Sequence, residues 1–222
     1  FIYCYNLVTV NNIPKSISNF MGCFEECHKL NQQFDFSSFS IGQDGLNSVL
    51  KNCYSLTYTP ILPTNYKGSL ASAFQGTKIT IAPVLPDGVT SLSSVFNGCK
   101  ELTTVGNIPS KCTNYDSIFR GCTKLMSVPE TGWKGVMNSA FRECASLNQQ
   151  ITIESATSMD NTFRGCTSLI ITPVLPKNVN GVMTGCFHSC NKLVTPPQTP
   201  EGVLFMDSCY YGCTSLTIAP YI

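Results

Sequence analysis

The sequence predicts an α/β solenoid: a right-handed coil of about ten stacked units of 22–26 residues, with short parallel strands on one face and short helices on the other. Three observations predict it. A small residue recurs as an anchor along the whole chain, apolar residues keep fixed offsets from every anchor, and a Pro-led turn punctuates most units.

The anchors are Cys4, Cys27, Cys53, Thr77, Cys99, Cys122, Cys144, Cys166, Cys190 and Cys213, spaced by 23, 26, 24, 22, 23, 22, 22, 24 and 23 residues. Three positions before them stand aromatic residues such as Phe74, Phe96, Phe119, Phe141, Phe163 and Phe187, with Leu50 as an exception. Three positions after each Cys stands a Leu, from Leu7 to Leu216; the Thr77 unit is one residue short and offers Ile79. With the small or apolar residues at minus four (Val95, Ile118, Ala140) and the large ones at minus seven (Leu92, Tyr115, Met137), these offsets form one apolar stripe at helical spacing.

That stripe predicts a helix of about two turns in each unit, too short to persist without neighbours. Gly76, Gly98, Gly121, Gly165 and Gly212, one residue before the anchor, would stop it, and residues such as Thr90-Ser91 and Asn178 would cap its start. The stretch after each Leu reads as a short strand ending at Ile13-Pro14, Leu62-Pro63, Leu85-Pro86, Ile108-Pro109 or Leu175-Pro176, since Pro cannot donate to a continuing ladder. No unit buries its own apolar face, whereas stacked units share a continuous core.

The phrases FRGCTSL, FNGCKEL, FRGCTKL and YYGCTSL, followed by Thr80-Ile81-Ala82-Pro83-Val84-Leu85-Pro86 or its variant Thr172-Pro173-Val174-Leu175-Pro176, resemble BspA-like leucine-rich repeats over essentially the whole chain. The resemblance implies a curved solenoid with strands on one face and helices on the other. It also implies a place among surface proteins that adhere to host or matrix proteins, or, since such repeats look at home there too, among proteins of phages of gut bacteria. The sequence departs from the pattern around Thr131-Gly132-Trp133 and Gln149-Gln150, which lack the Leu-Pro step, and in the longer stretch from Phe34 to Gly45.

Composition narrows the function. Charged residues are only 12% and the net charge is +1, so no bulk attraction to nucleic acid or anionic membrane is expected. No apolar run approaches the ~20 residues of a membrane span, and no signal peptide is visible. The chain starts at Phe1 and stops at Ile222 within units, which suggests one solenoid, residues 1–222, cut from a longer polypeptide. Nine of thirteen Cys occupy the anchor, where a small buried side chain is needed, so mostly reduced thiols are expected. Cys186, His188 and Cys190 lie close in sequence, but the two Cys read as core and the His as outward, so no metal site is expected. Two His, no nucleophile motif and no Gly-rich phosphate loop point away from catalysis and from any cofactor.

The strand face is the candidate recognition surface, through Tyr58, Thr104, Met126, Ser127, Gln149, Ile171, Thr195 and Ile218. Ten strands at ~4.8 Å give it a length of roughly 45–50 Å, enough for a protein or an extended glycan. Arg120, Arg142 and Arg164, two residues before their anchors, predict a basic row continued by His188 and Tyr211, which would meet an acidic partner or a sulfated sugar or simply face solvent. The leading expectation is a non-enzymatic adhesion module, secreted or at a cell surface. The second is a structural or fibre protein of a bacteriophage particle, and the third an intracellular partner-binding scaffold, which free thiols would permit.

Overall fold

The computed structural model describes residues 1–219; Ile222, where the chain stops, lies outside them. Six short strands follow one another: β1 Lys67–Ser69, β2 Gly88–Ser91, β3 Trp133–Val136, β4 Ile153–Ser158, β5 Asn178–Val182 and β6 Glu201–Phe205. All pair in parallel, in the orders β1-β2 and β3-β4-β5-β6. Asn114 joins the two sheets by bridging Ser91 on one side and Val136 on the other. Consecutive coils are therefore neighbours in space, which makes the chain a repeat solenoid.

Two details differ from the sequence expectation. The regular strands follow the Pro-led turn instead of preceding it, and Thr90-Ser91 and Asn178 lie in strands, not at helix caps. Where short helices were expected, the described residues contain none: the stretch from minus seven to the anchor is a run of overlapping turns. In the Cys99 unit, Val95 N donates to Leu92 O, Asn97 N to Ser94 O and Cys99 N to Phe96 O. The alternate N–H groups point sideways, Leu92 to Asn114 O, Ser94 to Asp116 O, Phe96 to Ile118 O and Gly98 to Arg120 O. Half of the backbone donors thus close turns within a coil and half continue the ladder to the next coil.

The cause is a pair of left-handed residues four apart. Position minus five has φ between +52° and +60° from Gly22 to Ser208, and the position before the anchor has φ between +58° and +74° from Tyr3 to Gly212. A left-handed residue at every fourth position is incompatible with a right-handed helix. Both arrangements nevertheless turn minus seven, minus four, minus three and the anchor inward, so the apolar stripe is buried as expected.

The core is one continuous cluster of columns. Phe119, Cys122 and Leu125 are fully buried. Rings stack coil on coil, Phe96–Phe119 at 5.8 Å, Phe141–Phe163 at 5.3 Å, Phe163–Phe187 at 5.4 Å and Phe187–Tyr210 at 5.5 Å. Beside the rings runs a thiol column in which each Cys Sγ donates to the Phe carbonyl of the preceding coil: Cys99 to Phe74 O, Cys122 to Phe96 O, Cys166 to Phe141 O, at 3.0–3.1 Å. Thr77 keeps the column polar in another way, its hydroxyl donating to Phe74 O of its own coil at 2.9 Å and lying 3.4 Å from Cys99 Sγ. All thirteen Cys are free thiols. Where Leu50 interrupts the ring column, the longer stretch after Phe34 supplies aromatics: Phe34 packs on Phe24 at 5.1 Å, and Phe36 and Phe39 pack edge-on against Phe20. The unit without a Leu-Pro step buries Trp133 against Tyr115, Phe119 and Phe141, its Nε1 donating to Pro129 O at 2.8 Å.

Candidate binding surface

The stretch after the inward Leu forms a second, interrupted parallel ladder. It consists of single bridges: Asp35 with Ile61, Ile81 with Thr104, Thr104 with Ser127, and Thr152 with Val174. Prolines stand two residues behind Ile61, Ile81, Ser127 and Val174 and remove donors there, so a regular ladder cannot run on from these bridges. Side-chain amides fill three of the gaps. Gln32 accepts from Val10 N and donates to Val10 O, Asn107 does the same for Leu85, and Gln149 does so for Val128.

The predicted face residues divide accordingly. Thr104 and Ser127 sit on the bridges, Thr104 half-buried and Ser127 exposed. Tyr58 (49% exposed), Met126 (57%), Ile171 (41%) and Ile218 (58%) are exposed on the segments after the inward Leu, as are Ile81, Ile170, Val194 and Thr195. They make an apolar track staggered between two register positions and interrupted by Thr104 and Gln149 in the Cys99 and Cys144 coils. Gln149 is different, because its amide is occupied by the backbone of Val128.

Beside this track the prolines line grooves that the sequence reading passed over. The larger, about 680 Å³, lies between Pro60-Ile61-Leu62 and Pro83-Val84-Leu85, with Thr64, Asp87 and Asn107 at its polar margin. A second, about 360 Å³, lies between Pro173-Val174-Leu175 and Pro196-Pro197. The signal was present in the doubled prolines of TPILP, APVLP and TPVLP, which read only as turns.

The basic row is assembled, but its charge is partly compensated. Arg142 Nε lies 3.0 Å from Glu143 Oε1, and Arg164 donates to Asn161 Oδ1 at 3.2 Å; Arg120 is exposed. His188 continues the row, 4.9 Å from the Tyr211 ring. Its pKa is held below the usual imidazole value by partial desolvation and by the charges of Arg164 and Arg142.

Cys186 and Cys190 are fully buried, while His188 Nδ1 lies 2.8 Å from Ser189 Oγ. Among the described residues no three His, Cys, Asp or Glu side chains converge in a metal-binding arrangement, and no helix is long and apolar enough to cross a membrane. Burial raises the anchor thiols, Cys53 and Cys166 to about 12 and Cys99 to about 11, so they stay protonated and unreactive at neutral pH.

A family comparison agrees with the coil. A family model described as a BspA type leucine rich repeat region matches residues 1–103 and 93–217, in six copies. A crystal structure of a leucine-rich repeat protein from Bacteroides ovatus ATCC 8483 is 17% identical, covering 95% of this chain and 86% of that one, with a TM-score of 0.32. No curated protein matches.

Proposed function

Since the chain belongs to the BspA type leucine-rich repeat family, we propose that it is a non-enzymatic binding module, secreted or displayed at a cell surface, that adheres to a protein or glycan partner through its interrupted strand face. One observation carries the reading: Tyr58, Ile81, Met126, Ile170, Val194 and Ile218, from six coils, all stand at least 42% exposed on the segments that follow the inward Leu or Ile. Scattered exposed apolar residues are ordinary, but their recurrence in the same segment of six coils marks an interaction surface. The proline-lined grooves beside the track give it relief, and its Thr, Ser and Ile side chains carry almost no charge, which suits an apolar, hydrogen-bonding contact.

The test is adhesion of protein-coated beads to epithelial monolayers, comparing the natural sequence with a quadruple variant, Tyr58→Ala, Thr104→Ala, Met126→Ala and Ile171→Ala. Adhesion should fall sharply while the thermal melt stays nearly unchanged, because three of the four side chains are exposed and Thr104 is half-buried. Undiminished adhesion by a folded variant would remove the strand face from the function.

A further inference from the structure

A third recess lies on a different track, where the Thr77 coil is one residue short. Its neighbours project Tyr54 and Lys100 just after their anchors, but here Lys78 N is drawn back to Leu56 O at 2.8 Å. The missing residue opens a cleft of about 400 Å³, walled by Tyr54 and Lys100, with Gln75, Asn97 and Lys78 at its sides. Its floor is glycine backbone beside Asn52: a Cβ added to Gly98 would stand 3.9 Å from Gly76 Cα, and one added to Gly76 would stand 2.6 Å from Asn52 Oδ1 and 3.2 Å from Tyr54 Cε1.

A row of rings leads into this cleft. Tyr5, His28 and Tyr54 each follow an anchor by one residue, with centroids 4.8 Å apart at both steps. Tyr5 and Tyr54 are 49% and 43% exposed, and the His28 ring is held by Glu26 Oε2 at 2.8 Å. Glu26 is fixed in turn by Asn52, and these hydrogen bonds hold its carboxyl below the usual range.

Two features define the ligand. Tyr5, His28 and Tyr54 pack on one another, tilted by 43° and 44°, so only the last of them, Tyr54, offers a ring to the cleft, where the apolar face of a pyranose can pack while amides take its hydroxyls. The charge in the cleft is positive: Glu101 is already paired with Lys124 at 2.6 Å, whereas the exposed Lys78 and Lys100 form no ion pair among the described residues. We propose that this cleft binds an acidic oligosaccharide, one hexuronate ring lying on Tyr54 with Lys78 and Lys100 supplying the counter-charge.

This site stands apart from the strand face, so either can fail without the other. The experiment is calorimetric titration with hexamers of galacturonate, mannuronate and hyaluronan, with maltohexaose and cellohexaose as neutral comparators. At least one acidic hexamer should bind, more weakly as salt rises; Tyr54→Ala and Lys100→Gln should each weaken it by about tenfold. The quadruple strand-face variant should bind it unchanged, and all three variants should melt normally, since Tyr54 and Lys100 are exposed. No binding of any acidic hexamer at millimolar concentration would overturn the proposal. So would equal binding of a neutral hexamer, or indifference to Tyr54→Ala.

Discussion

Phe163→Ala against its chain neighbour Arg164→Ala tests the columnar core most directly. Phe163 is fully buried and stacked on both sides, 5.3 Å from Phe141 and 5.4 Å from Phe187, with ring planes within 7°. Truncating a buried Phe costs about 3–5 kcal/mol in transfer and cavity terms. Two stacked pairs vanish at once, each worth roughly 0.5–1.5 kcal/mol beyond area, which places the loss toward the top of that range. Arg164 is half-buried and makes one side-chain hydrogen bond to Asn161, so its removal should cost within about 1 kcal/mol. Urea melts followed by circular dichroism read both. Because each coil touches only its neighbours, the Phe163 cavity weakens two adjacent interfaces, and the transition should broaden or split as well as shift. Equal costs, within about 0.5 kcal/mol, would refute the inside–outside assignment.

Alkaline pH probes the thiol column. Burial raises Cys53, Cys99, Cys166 and Cys209 to about 12, 11, 12 and 11, so the folded state holds protons that the unfolded chain gives up at the ordinary thiol value. The stabilisation is complete below that ordinary value and is lost as pH rises towards each folded value, at about 1.4 kcal/mol per pH unit for each thiol. Melting temperature should therefore fall steeply above pH ~9; a flat profile to pH ~10.5 would show that the thiols are not buried. Backbone contact between coils is read by two glycines. A Cβ on Gly135 (φ +88°) would stand 2.1 Å from Thr113 O, so Gly135→Ala should cost about 3 kcal/mol or more. Gly98→Ala, with φ +74° and no atom nearer than 3.9 Å, should cost about 1–2 kcal/mol in thermal melts. Equal losses at the two sites would mean that the coils are not in backbone contact at Thr113.

What was legible in the sequence, and what was not, follows from what spacing encodes. Offsets of minus seven, minus four and minus three report only which side chains share a side, and a ladder of turns shares that pattern with a helix. The deciding residues were the short ones between them: Ser94, Ser117 and Ser139 at minus five, with Gly98 and Gly121 four positions on, all left-handed. The regular strand was displaced for a related reason. Pro lacks the donor that a ladder needs, so Ile81 and Ser127, each two residues before a Pro, form only bridges to Thr104, and pairing becomes regular beyond the turn, as in β2. On the candidate surface, Met126 and Ile171 could be located by register alone, whereas the engagement of Gln149 with Val128 depends on a contact 21 residues away that no local pattern carries. The cleft beside Tyr54 is intermediate: the missing residue after Thr77 is visible in the sequence, but its effect arises only when the flanking coils stack against it. In a coil of near-identical turns, regular positions specify the scaffold, and local chemistry arises where one turn departs from the register of its neighbours.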